Sequence, residues 1–352
     1  MASSVFISFF YLFIFFIITE AIFTRSSFNF LSEDFIKNDP KIESKFSILM
    51  PIEKIFTTEL AKYFLNFASF GYCTIKEMEE RSCCQELLES EGWDIIVKET
   101  INLDNYNFAI LKNNQSRKII VTFPGTRGKY QFLEQVYYSN GVPFDGDKKE
   151  KIMNYFKQVW VLIKSVIGEN LKLLYEIYPD YQYVFTGHSL GGAMASIAAL
   201  DSVKYGSLKR SEISPVLITY GQPRTGNDIF ANEVMKHIPI IYRVVRQGDF
   251  IATFPRCAYE KNLNTCLNFL PESKFVRDLS LTEEQIKTEE DNYFSWHLGN
   301  LMLYTSEMNE YVNCTRDYGD NNPDPNCKLN LSVNFYHHLI YFNQFISRLC
   351  KK

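Results

Sequence analysis

One serine of this chain lies in a pattern that is typical of a catalytic nucleophile. Residues 187–191 read GHSLG and match G-x-S-x-G, in which a serine on a strained strand-to-helix turn exposes its hydroxyl. The flanking glycines remove side chains that would collide where the turn is tightest. The six residues before the motif (YQYVFT) are rich in apolar side chains, and those after it are rich in alanine. The pattern predicts that Ser189 is a nucleophile and that His188 is a turn residue rather than a catalyst.

The segments around this serine alternate between strand-like and helix-like patterns. Residues 149–177 form the longest helical pattern, because apolar side chains recur there at i, i+3 and i+4. Shorter helices are predicted at 56–70, 193–200 and 228–235, and short apolar runs predict strands at 93–97, 108–111, 118–123, 181–186, 216–220 and 240–245. This alternation predicts a mostly parallel sheet with crossover helices.

The length and composition of the chain permit a large domain, and its net charge argues against a nucleic-acid partner. A chain of 352 residues can bury a large core as one or at most two domains. Aromatic residues make up 16%, which suits a large core, an apolar binding cleft, or both. The formal net charge is -4, so Lys and Arg are not in excess and a nucleic-acid partner is not expected.

The N-terminus indicates export. Residues 5–18 are almost wholly apolar, a length that fits a signal-peptide core better than a membrane span of about 20 residues. Small residues at Thr19 and Ala21 predict cleavage after Ala21. We therefore expect a signal peptide at 1–21, a polar segment at 22–55, and a secreted protein without a stable membrane span. An uncleaved N-terminal anchor is the alternative.

Cysteines and glycosylation motifs agree with that route. The eight cysteines show no zinc-site spacing, so we expect disulfides and no metal site. Asn-x-Ser/Thr triplets begin at Asn114, Asn313 and Asn330, and these three are the candidate glycosylation sites.

Four strings together resemble the class 3 lipases, the family of the filamentous-fungal triacylglycerol lipases. They are GHSLGGA at 187–193, YGQPRTGN at 220–227, RVVRQGD at 243–249 and FPGT at 123–126. The resemblance covers roughly residues 60–350. It implies an α/β-hydrolase fold over 56–352, with a mostly parallel sheet and helices on both of its faces.

The resemblance assigns roles to single residues. Ser189 is expected as the nucleophile and Asp249 as the acid, which follows an apolar strand whose end can place a carboxylate to orient a histidine. The backbone N–H groups of Thr126 and Leu190 are expected to form the oxyanion hole. The implied chemistry passes through an acyl-enzyme and needs no cofactor. A lid is expected near residues 129–142, although burial of its apolar residues in the core is an equal alternative.

Three histidines follow the expected acid and could be the base. The triad order in α/β-hydrolases is Ser, acid, His, and imidazole suits a base that works near neutral pH. His338 opens HLIYF, which resembles the family's H-x-x-Y-F at the start of its last helix. His297 lies in a segment similar to a structural strand of the family, and His337 is adjacent to His338. We therefore expect His338 to be the base.

The resemblance also implies disulfide pairs, namely Cys73–Cys350, Cys257–Cys266 and Cys314–Cys327. It leaves the adjacent Cys83 and Cys84 without an assignment.

The function implied is a secreted serine esterase that hydrolyses an acyl-lipid ester, with a lipid–water interface as one place where it would meet this substrate. The alternative is a secreted, non-catalytic lipid-binding or interaction protein on the same fold. An inactive copy usually loses a catalytic side chain, and this sequence has a candidate for each of the three.

Overall fold

The computed structural model describes residues 56–80, 83–101, 106–125, 141–145, 149–212, 214–254, 258–260, 265–267, 297–314, 325–329 and 335–350. The predicted segments 1–21 and 22–55 lie outside these residues, as do Thr126, Asn330 and most of the predicted lid. Within the described ranges, no helix is both long enough and apolar enough to cross a membrane.

The helices of the described ranges fall into three groups along the chain. Near the start lie α1 (Thr58–Phe70), α2 (Ile75–Glu79) and α3 (Gln85–Glu91). The central helices are α4 (Asn154–Ile177), α5 (Leu190–Lys204) and α6 (Asp228–His237). A short α7 (Phe335–Leu339) comes near the end. Single turns of 3-10 helix occupy Ser207–Arg210, Ile251–Thr253, Pro325–Cys327 and Ile346–Arg348.

The strands build one large sheet and three small hairpins. They are β1 (Trp93–Ile101), β2 (Tyr106–Asn113), β3 (Lys118–Phe123), β4 (Gly141–Pro143), β5 (Lys151–Met153), β6 (Gln182–His188), β7 (Val216–Tyr220), β8 (Ile240–Arg246), β9 (Ala258–Glu260), β10 (Thr265–Leu267), β11 (Asn300–Tyr304), β12 (Tyr311–Cys314), β13 (Ile340–Tyr341) and β14 (Gln344–Phe345). The large sheet has the order β1-β2-β3-β6-β7-β8-β11-β12. Its five central strands, β3 to β11, are parallel, and antiparallel strands flank them on both sides.

Two apolar cores lie on opposite faces of this sheet, because successive side chains of a strand point to opposite faces. In β6, Val184 packs in the core that contains α1, whereas Tyr183 and Phe185 pack in the core that contains α4 and α5. Helix α4 buries its apolar stripe from Phe156 to Leu174, as the 3.6-residue period predicts. The mostly parallel sheet with helices on both faces is therefore confirmed.

Two local predictions need correction. The helical pattern from 149 was predicted to run unbroken to 177, but residues 151–153 form β5 and α4 begins at Asn154. His338 was expected at the start of the last helix, yet it lies next to the end of the five-residue α7. The chain then turns into the hairpin β13–β14.

The predicted disulfide between Cys73 and Cys350 is wrong. Cys73 pairs with Cys83, and Cys84 pairs with Cys350. Cys84 has φ 50°, a left-handed conformation that lets the two adjacent cysteines reach different partners. Its backbone N–H donates to the Cys350 carbonyl at 2.8 Å, which brings their Cα atoms to 4.5 Å, within disulfide reach.

Of the two local disulfides that were predicted, Cys314–Cys327 is confirmed. It links the end of β12 to the 3-10 turn at Pro325–Cys327. The other pair, Cys257–Cys266, stays a prediction, because Cys257 lies outside the described residues.

Candidate active site

Ser189 lies on a sharp turn between β6 and α5. The strand β6 is buried along its whole length between β3 and β7, and α5 begins at the next residue, Leu190. Ser189 itself has φ 58° and ψ −126°, a region that residues with a side chain rarely adopt. Its backbone N–H donates to the Tyr220 carbonyl at 2.9 Å, which ties the turn to β7.

The close approach of this turn to β3 explains why glycine occupies position 191. A Cβ atom added to Gly191 would lie 2.1 Å from the carbonyl oxygen of Phe123. That carbonyl ends β3, from which the chain leads to Gly125. A Cβ added to Gly125 would in turn lie 2.9 Å from the Ser189 Cβ atom. The segment expected to form the oxyanion loop therefore begins in contact with the serine.

Of the two residues predicted to form the oxyanion hole, the structure describes only Leu190. Thr126 lies outside the described residues. Leu190 is the first residue of α5, and the first N–H groups of a helix have no acceptor within that helix. Such amides, at the positive end of a helix dipole, suit the negative charge of an oxyanion.

Asp249 follows β8 and is buried, with 1% of its surface exposed. Its Oδ1 atom accepts hydrogen bonds from the backbone N–H groups of Ile251 at 3.0 Å and Ala252 at 3.2 Å. Burial raises the pKa of this carboxyl, but His338 and the hydrogen bonds from His338 and Tyr341 outweigh burial and hold the pKa below its ordinary value. The carboxylate therefore stays ionised at neutral pH.

His338 is paired directly with this carboxylate. Its Nδ1 atom lies 2.9 Å from Oδ1 and 3.0 Å from Oδ2 of Asp249, and its ring is almost wholly buried. Because an ionised carboxylate can only accept, Nδ1 carries the proton. The opposite nitrogen, Nε2, then has the lone pair that a general base needs.

Position 221 lies so close to Asp249 and His338 that only glycine fits there. Gly221 has φ 54°, which glycine adopts without strain. An added Cβ would lie 2.6 Å from Asp249 Oδ2 and 3.0 Å from His338 Nδ1. The segment after β7 therefore packs directly against the hydrogen-bonded Asp249 and His338 side chains.

Comparison with known proteins agrees with this geometry. Residues 120–259 match the family model Lipase (class 3). Over this segment the chain is similar to the class 3 lipase family. Its matched segment runs from β3 through the serine turn to β9 and contains both Ser189 and Asp249.

Two curated relatives illustrate how far the sequence likeness to class 3 lipases extends. A secreted mono- and diacylglycerol lipase of Fusarium solani is 35% identical over 100 residues, which are 28% of each chain. A lipase of Rhizomucor miehei is 25% identical over 202 residues, which are 56% of this chain and 54% of the relative. The chain thus spans about half, or less, of the length of these relatives.

The likeness in structure extends further. A solved triacylglycerol lipase whose catalytic centre is a serine protease triad superimposes with a TM-score of 0.64 at 19% identity. The superposition covers 84% of this chain and 98% of that lipase. At this level of identity the likeness establishes the α/β-hydrolase fold alone.

The other two histidines considered as bases lie away from the carboxylate. The Nδ1 atom of His337 lies 2.8 Å from the Gln247 carbonyl oxygen instead. His297 is buried before β11, and its Nδ1 contacts the Arg243 guanidinium. Burial, together with Arg243 and Arg224, lowers the pKa of His297 well below its ordinary value.

Sequence reasoning gave no role to Tyr341, although it is the tyrosine of the H-x-x-Y-F string. Its hydroxyl donates to Asp249 Oδ2 at 2.6 Å. Burial and the neighbouring Asp249 raise the pKa of this phenol well above its ordinary value, so it remains a donor. Its position three residues after His338 was the one feature of the sequence that could have indicated this role.

Two of the three candidate glycosylation sites belong to the described residues. Asn114 and Asn313 are exposed, and Asn330 lies outside the described residues. The Asn114 Oδ1 atom accepts from the Lys112 ammonium and the Tyr181 hydroxyl. Glycosylation of all three stays a prediction.

Proposed function

We propose that this chain is a secreted serine esterase that hydrolyses acyl-lipid esters through Ser189, Asp249 and His338. The observation that carries the proposal is the buried hydrogen bond between Asp249 and His338, next to a strained serine turn. This arrangement combines an ionised acid, an oriented imidazole and a nucleophile at a helix N-terminus, which together perform acyl transfer in α/β-hydrolases.

The reaction proceeds in two halves. In the first, His338 Nε2 takes the Ser189 proton while Oγ attacks the ester carbonyl carbon and forms a tetrahedral intermediate. The N–H groups of Leu190 and Thr126 donate to its oxyanion. The intermediate collapses, His338 gives its proton to the departing alcohol, and an acyl-enzyme remains.

In the second half, water replaces the serine as nucleophile. His338 takes a proton from that water, the hydroxide attacks the acyl carbon, and the Ser189 oxygen leaves with the proton. The free acid is released and the enzyme is regenerated. Asp249 stays ionised throughout and stabilises the imidazolium form of His338 in both halves.

The proposed substrate class and the proposed secretion are supported by different observations. The match to the class 3 lipase family model and the names of the relatives favour an acyl-lipid ester, with triacylglycerol-like substrates first. The apolar segment at 5–18, three disulfides in the described residues and the relatives' secretion favour an extracellular protein.

Covalent labelling tests the proposal against a non-catalytic lipid-binding protein. A fluorophosphonate should label the purified protein at Ser189, and hydrolysis of a triacylglycerol emulsion should be lost in Ser189→Ala. Ser202→Ala is the matched control, because this serine is also buried but lies at the far end of α5. Hydrolysis that persists in a folded Ser189→Ala variant would refute the assignment.

The base is tested in the same assay. His338→Ala should lose several orders of magnitude in kcat, as removal of a general base does. His337→Ala should keep substantial activity, because its side chain turns to Gln247 rather than to Asp249. The reverse result would assign the base to His337.

A further inference from the structure

His188 lies one residue before the serine and was expected to be a turn residue, yet it ends β6 and is buried. Both of its ring nitrogens have partners. Nε2 lies 2.9 Å from the His338 carbonyl oxygen, and Nδ1 lies 2.7 Å from the Tyr72 hydroxyl. Because a carbonyl oxygen can only accept, Nε2 carries the proton and Nδ1 accepts from Tyr72. The two partners together select one neutral tautomer.

We propose, on the basis of the proposed function, that His188 is a positioning residue for the catalytic base. Its ring connects Tyr72 to the backbone of His338, and so holds the His338 imidazole in register with Asp249 and Ser189.

The short helix α7 makes such a support necessary. A helix of five residues forms at most one or two internal hydrogen bonds, and isolated helices of this length are not stable. The bond from His188 anchors the His338 backbone to β6, the strand that also leads into Ser189. The base is thereby held by the last residue of β6, and the nucleophile is the next residue of the chain.

Tyr72, at the other end of the chain of hydrogen bonds through His188, is also fixed in place. Tyr72 is buried and follows the end of α1, and the next residue, Cys73, is in a disulfide. A Cβ added to Gly125 would lie 2.2 Å from the Tyr72 hydroxyl, so this hydroxyl also lies against the start of the expected oxyanion loop. Tyr72 therefore reaches His188 from a rigid support.

The ring of His188 also has to remain uncharged. It lies against the His338 ring, with centroids 4.5 Å apart and planes at 31°. Among the described residues, Tyr72, Asp249 and Tyr341 are the other titratable groups that face it. Burial and repulsion from His338 lower the pKa of His188 to about 3, against the opposing effects of Asp249 and the His338 carbonyl. A neutral neighbour does not repel the positive charge that His338 gains when it takes the serine proton.

Three variants test the connection by kinetics. We expect Tyr72→Phe to lower kcat roughly 10-fold and His188→Phe roughly 100-fold with little change in KM, since a small misplacement of a catalytic group costs about this much. The double variant should be no slower than His188→Phe, because both changes break one connection. His188→Gln, which keeps an amide donor for the His338 carbonyl, should recover part of the loss.

The pH dependence of kcat/KM gives a second test, because a mere loss of stability would not shift the acidic limb of that profile. A displaced His338 has an altered hydrogen bond to Asp249, so the limb should shift in His188→Phe. Matched controls are Tyr63→Phe on α1 and His237→Phe at the end of α6, which should leave both kcat and the limb unchanged.

Proton NMR separates this inference from the proposed function. The His338 Nδ1–H resonance, shifted downfield by its bond to Asp249, should move in folded Tyr72→Phe and His188→Phe proteins. An unchanged resonance in both variants overturns the positioning role, whether or not the chain hydrolyses esters. If the resonance moves but the wild-type protein hydrolyses no ester, the proposed function fails and the positioning role stands.

Discussion

Replacing Asp249 by asparagine exchanges one carboxylate oxygen for an NH₂ group but should remove most of the activity. The backbone N–H groups of Ile251 and Ala252 both donate to Oδ1, so an asparagine has to keep its carbonyl oxygen there. Its NH₂ group then takes the place of Oδ2, to which Tyr341 donates.

That placement favours the other tautomer of His338, because Nδ1 lies 3.0 Å from the atom that becomes NH₂, and the carbonyl oxygen 2.9 Å away already accepts two backbone N–H groups. The Tyr341 hydroxyl can rotate and accept a hydrogen bond, but His338 Nδ1 can accept from the new NH₂ group only by giving up its proton. The proton then lies on Nε2, which can no longer take one from Ser189. In serine hydrolases this error costs about 10⁴-fold in kcat, or about 5.5 kcal/mol in the activation free energy.

The assay is the initial rate of hydrolysis of a soluble p-nitrophenyl ester, with thermal unfolding measured in parallel to show that the variant folds. Asp94→Asn is the matched control, because Asp94 is an exposed acid on β1 that pairs with Lys112. A folded Asp249→Asn variant with kcat within tenfold of the wild-type value would refute the reasoning about the tautomer.

Two further predictions concern stability. The Cys84–Cys350 disulfide closes 266 residues and Cys73–Cys83 only 10, so the chain-entropy model predicts losses of about 5.6 and about 2.7 kcal/mol when each pair is replaced by alanine. Urea unfolding checks the order, and a larger loss from the short loop would contradict it. Burial lowers the pKa of Lys118 to about 8 from 10.5, a penalty of about 3 kcal/mol below pH 8 that fades as pH rises to 10.5. Lys118→Met should therefore be more stable than wild type at pH 7 and lose that advantage by pH 10; a destabilised variant at pH 7 would rule this out.

The sequence by itself determined the features that depend on neighbours along the chain. The strands β3, β6, β7 and β8 could be predicted because each is a short apolar run, and α4 could be predicted from its 3.6-residue period. The Ser189 turn was predictable for the same reason, since its glycines, strand and helix are contiguous in sequence. The resemblance to class 3 lipases then selected Asp249 and His338, which are 89 residues apart.

Only the tertiary structure decided which distant groups meet. Eight cysteines allow many pairings, and the left-handed turn at Cys84, rather than any spacing, sends Cys83 to Cys73 and Cys84 to Cys350. The hydroxyl of Tyr72 reaches His188 across 116 positions of the chain. Such contacts follow from how the strands and helices pack in three dimensions, and no local period or propensity records that packing.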